Sequence, residues 1–172
     1  TFAIDRAGLV GEDGPTHSGN YDLVYLRCIP NMIVMTPSDE NETRKLLTTG
    51  FLHNGPASIR YPRGSGPDVI VENDLSPVEI GKGRLIEEGS KDLIVINFGA
   101  LLDQAREVAS TLGLTLIDMR FVKPLDEDIL RKYLSEAHAF VSIEDGSVAG
   151  GAGSAVQELS LIHISEPTRP LS

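Results

Sequence analysis

Met32-Ile33-Val34-Met35-Thr36-Pro37-Ser38-Asp39-Glu40 is the stretch on which the fold reading turns. Four consecutive apolar residues read as a buried strand. The polar run behind them reads as a helix start, with Thr36 or Ser38 as the cap, Pro37 at the first turn and acids at the positive end of the helix dipole. The helix is expected to run to about Thr49, with Gly50 as its stop. Ala57–Tyr61 then returns as a strand. Upstream, Thr1–Ile4 is an extended apolar run and Leu23–Ile29 a short helix ending at Pro30. The resulting order of strand, loop, strand, helix and strand, with apolar strands, is that of a parallel sheet covered on its faces.

The composition changes between Gly64 and Pro77 to Gly, Pro, Ser, Asp and Asn, which reads as a linker. A second unit starts near Val78. Strands are expected at Ile80–Glu87, Leu93–Phe98, Leu114–Met119 and Ala139–Ile143. One helix carries the apolar stripe Leu101, Leu102, Ala105, Val108, Ala109 and Leu112 and stops at Gly113; another runs from about Asp126 to Ala137. Strands alternating with helices imply right-handed crossovers and a second parallel sheet. The expected division is 1–66, a linker at 67–77, and 78–158.

Leu159-Ser160-Leu161-Ile162-His163-Ile164-Ser165-Glu166-Pro167-Thr168-Arg169 resembles the translation of a transposon-derived sequencing adapter read in frame. Residues 159–172 are therefore set aside from the functional reading, as a cloning scar would be. The chain also begins with Thr inside an apolar run, which reads as a piece of something longer.

Composition narrows the function. At 172 residues with 41% hydrophobic content, the chain has the makeup of a soluble globular protein. A net charge of −10 argues against a nucleic-acid partner, since phosphate backbones are met by clustered Lys and Arg. Cys28 is the single cysteine, which rules out an internal disulfide framework and suits the cytoplasm. No apolar stretch approaches a membrane span, and no signal-peptide pattern opens the chain.

The chemistry is expected on Asp5-Arg6-Ala7-Gly8-Leu9-Val10-Gly11-Glu12-Asp13-Gly14-Pro15-Thr16-His17-Ser18-Gly19. Four glycines and a proline suit neither helix nor strand interior, and loops at strand ends are where α/β proteins place their sites. His17 reads either as a proton donor or acceptor oriented with Asp13, or as a solvated loop histidine capping backbone groups. A cation site from Asp13, His17 and Asp22 is conceivable by residue type, but nothing in the spacing fixes its geometry, and no metal is assigned.

Arg60 and Arg63 flank Tyr61-Pro62 at a strand end, where guanidinium groups on a stiff turn can grip phosphate with paired hydrogen bonds. The plain alternative is surface arginines paired with acids. Arg6 reads as a weaker phosphate candidate or as the partner of Asp5. Gly150-Gly151-Ala152-Gly153-Ser154-Ala155 fails as a dinucleotide fingerprint, because Glu144–Ala149 separates it from the strand. It is expected to let a helix start pack closely on a sheet.

Several ordered stretches carry a resemblance: Asp5 to His17, Tyr25-Leu26-Arg27-Cys28-Ile29-Pro30, Met35 to Glu42, Arg60-Tyr61-Pro62-Arg63, Asp118-Met119-Arg120-Phe121-Val122-Lys123-Pro124-Leu125-Asp126, and Gly150 to Ser154. Together they resemble the 1-deoxy-D-xylulose-5-phosphate synthases, which are transketolase-like enzymes. The resemblance implies an α/β fold: the end of a parallel-sheet pyrimidine-binding domain followed by a transketolase C-terminal-type parallel or mixed sheet. It implies thiamine diphosphate and Mg2+ as cofactors, pyruvate and D-glyceraldehyde 3-phosphate as substrates, loss of carbon dioxide, and a homodimer.

In that family the product feeds isoprenoid, thiamine and pyridoxal synthesis. Carried over, Asp13 and His17 are substrate-contacting catalytic residues and Arg63 holds the aldehyde's phosphate, with Arg6 and Arg60 as further substrate-binding candidates. The family's Gly-Asp-Gly metal motif and activating glutamate have no counterpart in this sequence, so the polypeptide alone is expected to be inactive. Two rival readings stand beside it. One is a β-type subunit of a split 2-oxo-acid dehydrogenase or transketolase-like enzyme; the other is a non-catalytic binding module.

Overall fold

The computed structural model describes residues 1–164; the stretch set aside as adapter-derived continues beyond them from 165 to 172. In chain order the elements are β1 (Phe2–Ile4), a 3-10 turn (Pro15–His17), α1 (Asp22–Cys28), β2 (Ile33–Met35), α2 (Glu40–Leu52) and β3 (Ala57–Arg60). They continue with β4 (Arg84–Glu87), β5 (Ser90–Phe98), α3 (Leu102–Leu112), β6 (Leu114–Asp118), β7 (Phe121–Lys123), α4 (Glu127–Leu134), β8 (Ala139–Glu144) and α5 (Ala152–Ile164). The strands form two four-stranded sheets, in the orders β1-β3-β2-β7 and β4-β6-β5-β8.

The first sheet has the expected parallel center, β1 and β2 on either side of β3, with Phe2 opposite Ser58 and Val34 also opposite Ser58. Its fourth strand comes from the other half of the chain. β7 runs antiparallel to β2, pairing Phe121 with Met35 and Lys123 with Val34. The sequence reading has no strand there, because three residues between an Asp-Met-Arg turn and a proline give no periodic signal. The second sheet is mixed: β5 is parallel to β6 and β8, while β4 is antiparallel to β6.

The two halves share a core. Leu23, Leu26, Met32 and Val34 lie in one buried cluster with Ile94, Ile96, Phe98, Ile117, Met119 and Val122. A second cluster joins Ile33, Met35, Leu46, Ala57 and Ile59 to Phe121. Each large apolar side chain so buried contributes about 1.5–3 kcal/mol, which makes β7 a structural part of the first sheet.

Three local expectations change. α2 is capped by Asp39, whose Oδ1 accepts from the Glu42 amide at 2.8 Å. Ser38 is occupied instead, donating to Asp118 Oδ2 at 3.1 Å, and the Thr36 hydroxyl faces the Arg120 carbonyl. Gly50 does not stop the helix, which runs on to Leu52. A Cβ at Gly50 would lie 3.0 Å from both Met35 Cε and Thr1 Cγ2, so this glycine serves close packing. β8 is an edge strand with Val141 44% exposed, although the apolar run Ala139–Ile143 is of the kind that reads as a buried strand.

Gly113 does end α3 in the left-handed conformation, with φ 63°. Residues 64–77 carry neither helix nor strand, yet they lie strapped along α2. The Glu72 amide donates to Asn41 Oδ1 at 2.9 Å, Lys45 meets Asp74 at 3.0 Å, and the Val78 amide donates to Thr49 Oγ1 at 2.7 Å.

A polar network crosses between the halves. Arg84 donates to Asp118 Oδ2 and Glu42 Oε1, both at 3.1 Å, and Arg120 lies 2.7 Å from Glu42 Oε2. Burial raises the Asp118 carboxyl above its ordinary value, against the pull of Arg84. The two stretches Met35 to Glu42 and Asp118 to Asp126, far apart in sequence, thus face each other in space.

Candidate functional site

Because β1 and β3 run parallel and in register, their carboxyl ends emerge side by side, as at the ligand edge of open α/β sheets. The ladder continues past the strands: the Tyr61 amide donates to the Ile4 carbonyl at 3.0 Å and the Ala7 amide to Tyr61 at 3.1 Å. Residues 5–19 and 61–64 are therefore neighbors. Arg6 adopts the left-handed region, φ 60°, and its carbonyl accepts from Gly19 at 2.9 Å. A Cβ at Gly19 would sit 2.3 Å from that oxygen, so the loop can close only on a glycine.

Asp13 is the center of the charged cluster. Its Oδ2 accepts from Arg6 Nε at 2.9 Å and lies 3.2 Å from Arg63 Nε. The Arg6 hydrogen bond, helped by Arg63 and His17, holds this carboxyl below the usual carboxylate range. Arg6 also reaches Asp5 at 2.5 Å, and Arg63 Nη1 donates to Glu12 Oε2 at 2.8 Å. A cleft of about 330 Å³ opens beside Arg63, lined by Leu9, Val10, Gly11, Glu12 and Gly64. His17 is exposed on its 3-10 turn, with Nδ1 2.9 Å from Thr16 Oγ1. Its hydrogen bond is to Thr16 and not to Asp13.

Arg60 is placed quite differently from its neighbor Arg63. Its side chain is buried, Nε donates to Asp22 Oδ2 at 2.8 Å, and Nη2 reaches the carbonyls of Gly19 and Asp145. The last residue of a central strand points into the protein, and here its donors are spent tying the loop base to the segment after β8. The structure thus removes Arg60 from the surface where a substrate phosphate could reach it. Asp22 is equally buried against Arg60, and among the described residues it does not gather with Asp13 and His17 into a cation site.

Two further residues belong to this region. Asp145 accepts from the Leu9 amide at 3.3 Å, and its carboxylate covers Gly8 so closely that a Cβ there would lie 1.7 Å away. Asp145 follows a strand end and precedes a glycine, a signal of the same kind that marked residues 5–19. Glu12, beside Asp13 in the chain, carries no signal that separates it from other surface acids. The Gly150 to Ser154 stretch packs as expected: a Cβ at Gly153 would lie 2.4 Å from Ser142 Oγ, and Glu144 accepts from the Ala152 and Gly153 amides at 2.7 and 2.8 Å.

Among the described residues no three His, Cys, Asp or Glu side chains come together as a cation site, and no helix is long and apolar enough to cross a membrane.

Comparison with known proteins agrees with this architecture. The transketolase pyrimidine-binding domain family matches residues 1–68, and the transketolase C-terminal domain family matches residues 81–166. A Pseudomonas fluorescens protein named 1-deoxy-D-xylulose-5-phosphate synthase is 54% identical, over 96% of this chain and 27% of its own length. The protein of that name from Pseudomonas paraeruginosa is 60% identical over 91% of this chain and 25% of its own. The chain thus spans about a quarter of the length of these relatives.

Among solved structures, one titled a split gene transketolase, inactive beta4 tetramer, superposes with a TM-score of 0.81 at 32% identity, covering 96% of this chain and 54% of that one. Transketolase from Leishmania mexicana shares the fold, with a TM-score of 0.60 at 19% identity over 91% of this chain and 27% of its own. With both domain families matched in order and the sheets arranged accordingly, the chain belongs to the transketolase family, and its sequence is similar to that of proteins named 1-deoxy-D-xylulose-5-phosphate synthase.

Proposed function

We propose that residues 5–19 and 61–64 form the acceptor side of a 1-deoxy-D-xylulose-5-phosphate synthase site, joining pyruvate to D-glyceraldehyde 3-phosphate with loss of carbon dioxide. The observation that carries this reading is the meeting of Arg6 and Arg63 on Asp13 beside an open cleft at the carboxyl ends of parallel strands. Guanidinium groups bind a phosphate dianion through paired hydrogen bonds. In this reading Arg63, with Arg6, anchors the aldehyde's phosphate. Asp13, ionised at neutral pH, accepts from a substrate hydroxyl. His17, exposed on the same loop, exchanges a proton with the aldehyde oxygen as it becomes a hydroxyl.

The cofactors proposed are thiamine diphosphate, which when bound supplies an electron sink, and Mg2+. The described residues do not fit the metal-diphosphate end of that group, since they bring no cation-binding set together, and no step is assigned to them through it. That end is proposed to be held by other polypeptide, so the chain alone is inactive. A homodimer in the cytoplasm, with a product serving isoprenoid, thiamine and pyridoxal synthesis, completes the reading; the free, exposed Cys28 thiol suits that compartment.

The test is a chimera. Residues 1–158 replace the matching stretch of the Pseudomonas fluorescens relative, and pyruvate-dependent consumption of D-glyceraldehyde 3-phosphate is measured. Turnover supports the reading; a folded, cofactor-binding chimera with no turnover overturns it.

The split-gene transketolase neighbor favors a second reading, a subunit that completes its site with a separate partner chain. Restoration of activity by mixing this chain with a separately made cofactor-binding half would favor it over a single-chain enzyme.

A further inference from the structure

The charged cluster beside the cleft is self-neutralised. Two guanidinium groups, Arg6 and Arg63, face three carboxylates, Asp5, Asp13 and Glu12. A phosphate dianion entering such a set meets a field that repels it unless a carboxylate withdraws.

The carboxylates are not equally free to withdraw. Asp13 is 21% exposed and held by Arg6, and its loss would leave both arginines without their shared partner. Glu12 is 86% exposed and, among the described residues, bonds to Arg63 alone, and the backbone around it is open: a Cβ at Gly11 or Gly14 would meet nothing within 4 Å. Arg63, by contrast, follows Pro62 at the end of the β1–β3 ladder and has a second hold on Asp13. The guanidinium is thus the fixed member of the pair and Glu12 the movable one. The Glu12 carboxylate, planar and anionic, occupies the Arg63 Nη1 donor at 2.8 Å, where a phosphate oxygen would otherwise bind from the cleft.

We propose that Glu12 is a displaceable gate on an anion subsite: it occupies Arg63 in the absence of ligand and gives up that guanidinium to a phosphate monoester. The inference rests on the phosphate role proposed above for Arg63 and adds an internal competitor that lowers affinity for phosphate while leaving the aldehyde contacts untouched. An exposed pair is broken at little cost, so the gate weakens binding by a modest factor.

The experiment is an NMR titration of the folded 172-residue chain at pH 7.5 and low salt, following the Arg63 Nε–H signal. Inorganic phosphate, D-glyceraldehyde 3-phosphate and unphosphorylated glyceraldehyde are added to the wild type, Glu12→Gln and Glu107→Gln. The last removes the same charge from α3 and serves as the control. Glu12→Gln is expected to bind both phosphate probes about fivefold more tightly, the scale of one exposed ion pair, with the Glu107→Gln titration matching the wild type.

Tightening for D-glyceraldehyde 3-phosphate alone assigns the subsite to the sugar phosphate, and equal tightening for inorganic phosphate assigns it to any phosphate group; either supports the gate. Wild type and Glu12→Gln binding equally, or Glu107→Gln tightening as much as Glu12→Gln, overturns the gate and leaves the phosphate site standing. A folded wild type and Glu12→Gln that both ignore every phosphate probe overturn the phosphate role of Arg63 and the gate with it.

Discussion

Arg60 and Asp22 form a buried ion pair, Nε to Oδ2 at 2.8 Å with both side chains 3% exposed, three residues before the half-exposed Arg63. Removing Arg60 strands a buried carboxylate, so Arg60→Leu is expected to lower stability by about 3–5 kcal/mol. Arg63→Ala, which breaks exposed pairs, is expected to stay within about 1 kcal/mol of wild type. Urea unfolding of both variants measures the difference; similar losses would contradict the division of labor between the two arginines.

Arg63→Lys keeps the charge and loses the planar fork. In the active chimera the KM for D-glyceraldehyde 3-phosphate should rise about tenfold, the worth of one charge-assisted hydrogen bond, and the KM for pyruvate should stay within about twofold. Equal losses on both substrates would sink the phosphate assignment.

Phe121 is fully buried and places its strand against Met35, so Phe121→Ala is expected to cost about 3–5 kcal/mol. Because β7 completes the first sheet from the far half of the chain, the loss should appear at once in both halves. Far-ultraviolet circular dichroism and tyrosine fluorescence should report one coincident transition, and residues 1–77 made alone should fail to fold.

Asp13 titrates below its ordinary range, chiefly through the Arg6 hydrogen bond, and this sets the sign of a pH effect. A carboxyl with a lowered folded pKa contributes stability above its unfolded value of about 3.9 and loses it as pH falls through the folded value. The stability difference between wild type and Asp13→Asn should therefore be flat from pH 5 to 8 and shrink below pH 4. A difference that changes between pH 6 and 8 would assign the titration to another group.

Gly8 adopts φ 69° with the Asp145 carboxylate directly over it. Gly8→Ala forces a left-handed alanine, which costs about 1–2 kcal/mol, and pushes Asp145 off the Leu9 amide. Hydrogen exchange at Leu9 should accelerate while exchange in β5 and β6 stays unchanged.

Much of the architecture is legible in the residues because it depends on local pattern. The apolar run Met32–Met35 followed by Thr-Pro-Ser-Asp-Glu gives strand then helix, and the stripe ending at Gly113 gives α3 with its left-handed cap. What the pattern misreads is decided by partners distant in sequence. The cap of α2 passes to Asp39 because Asp118 engages Ser38, and Gly50 lies inside the helix because Met35 and Thr1 press against it. Strand β7 forms because β2 offers it an edge.

The same division holds at the site. The sequence by itself determined which chemistry the residues from Asp5 to Gly19 can do, since glycine and proline content fixes a loop and the arginines, acids and histidine on it fix the charges. Only the tertiary structure decided which of these groups meet. Parallel pairing of β1 and β3 brings Arg6, Asp13 and Arg63 together, while Arg60, three residues before Arg63 and still inside β3, turns inward to Asp22. The reason is geometric: β3 lies between β1 and β2 and is buried at all four residues, so its last side chain finds interior partners, while Arg63 lies past the strand end on the exposed loop.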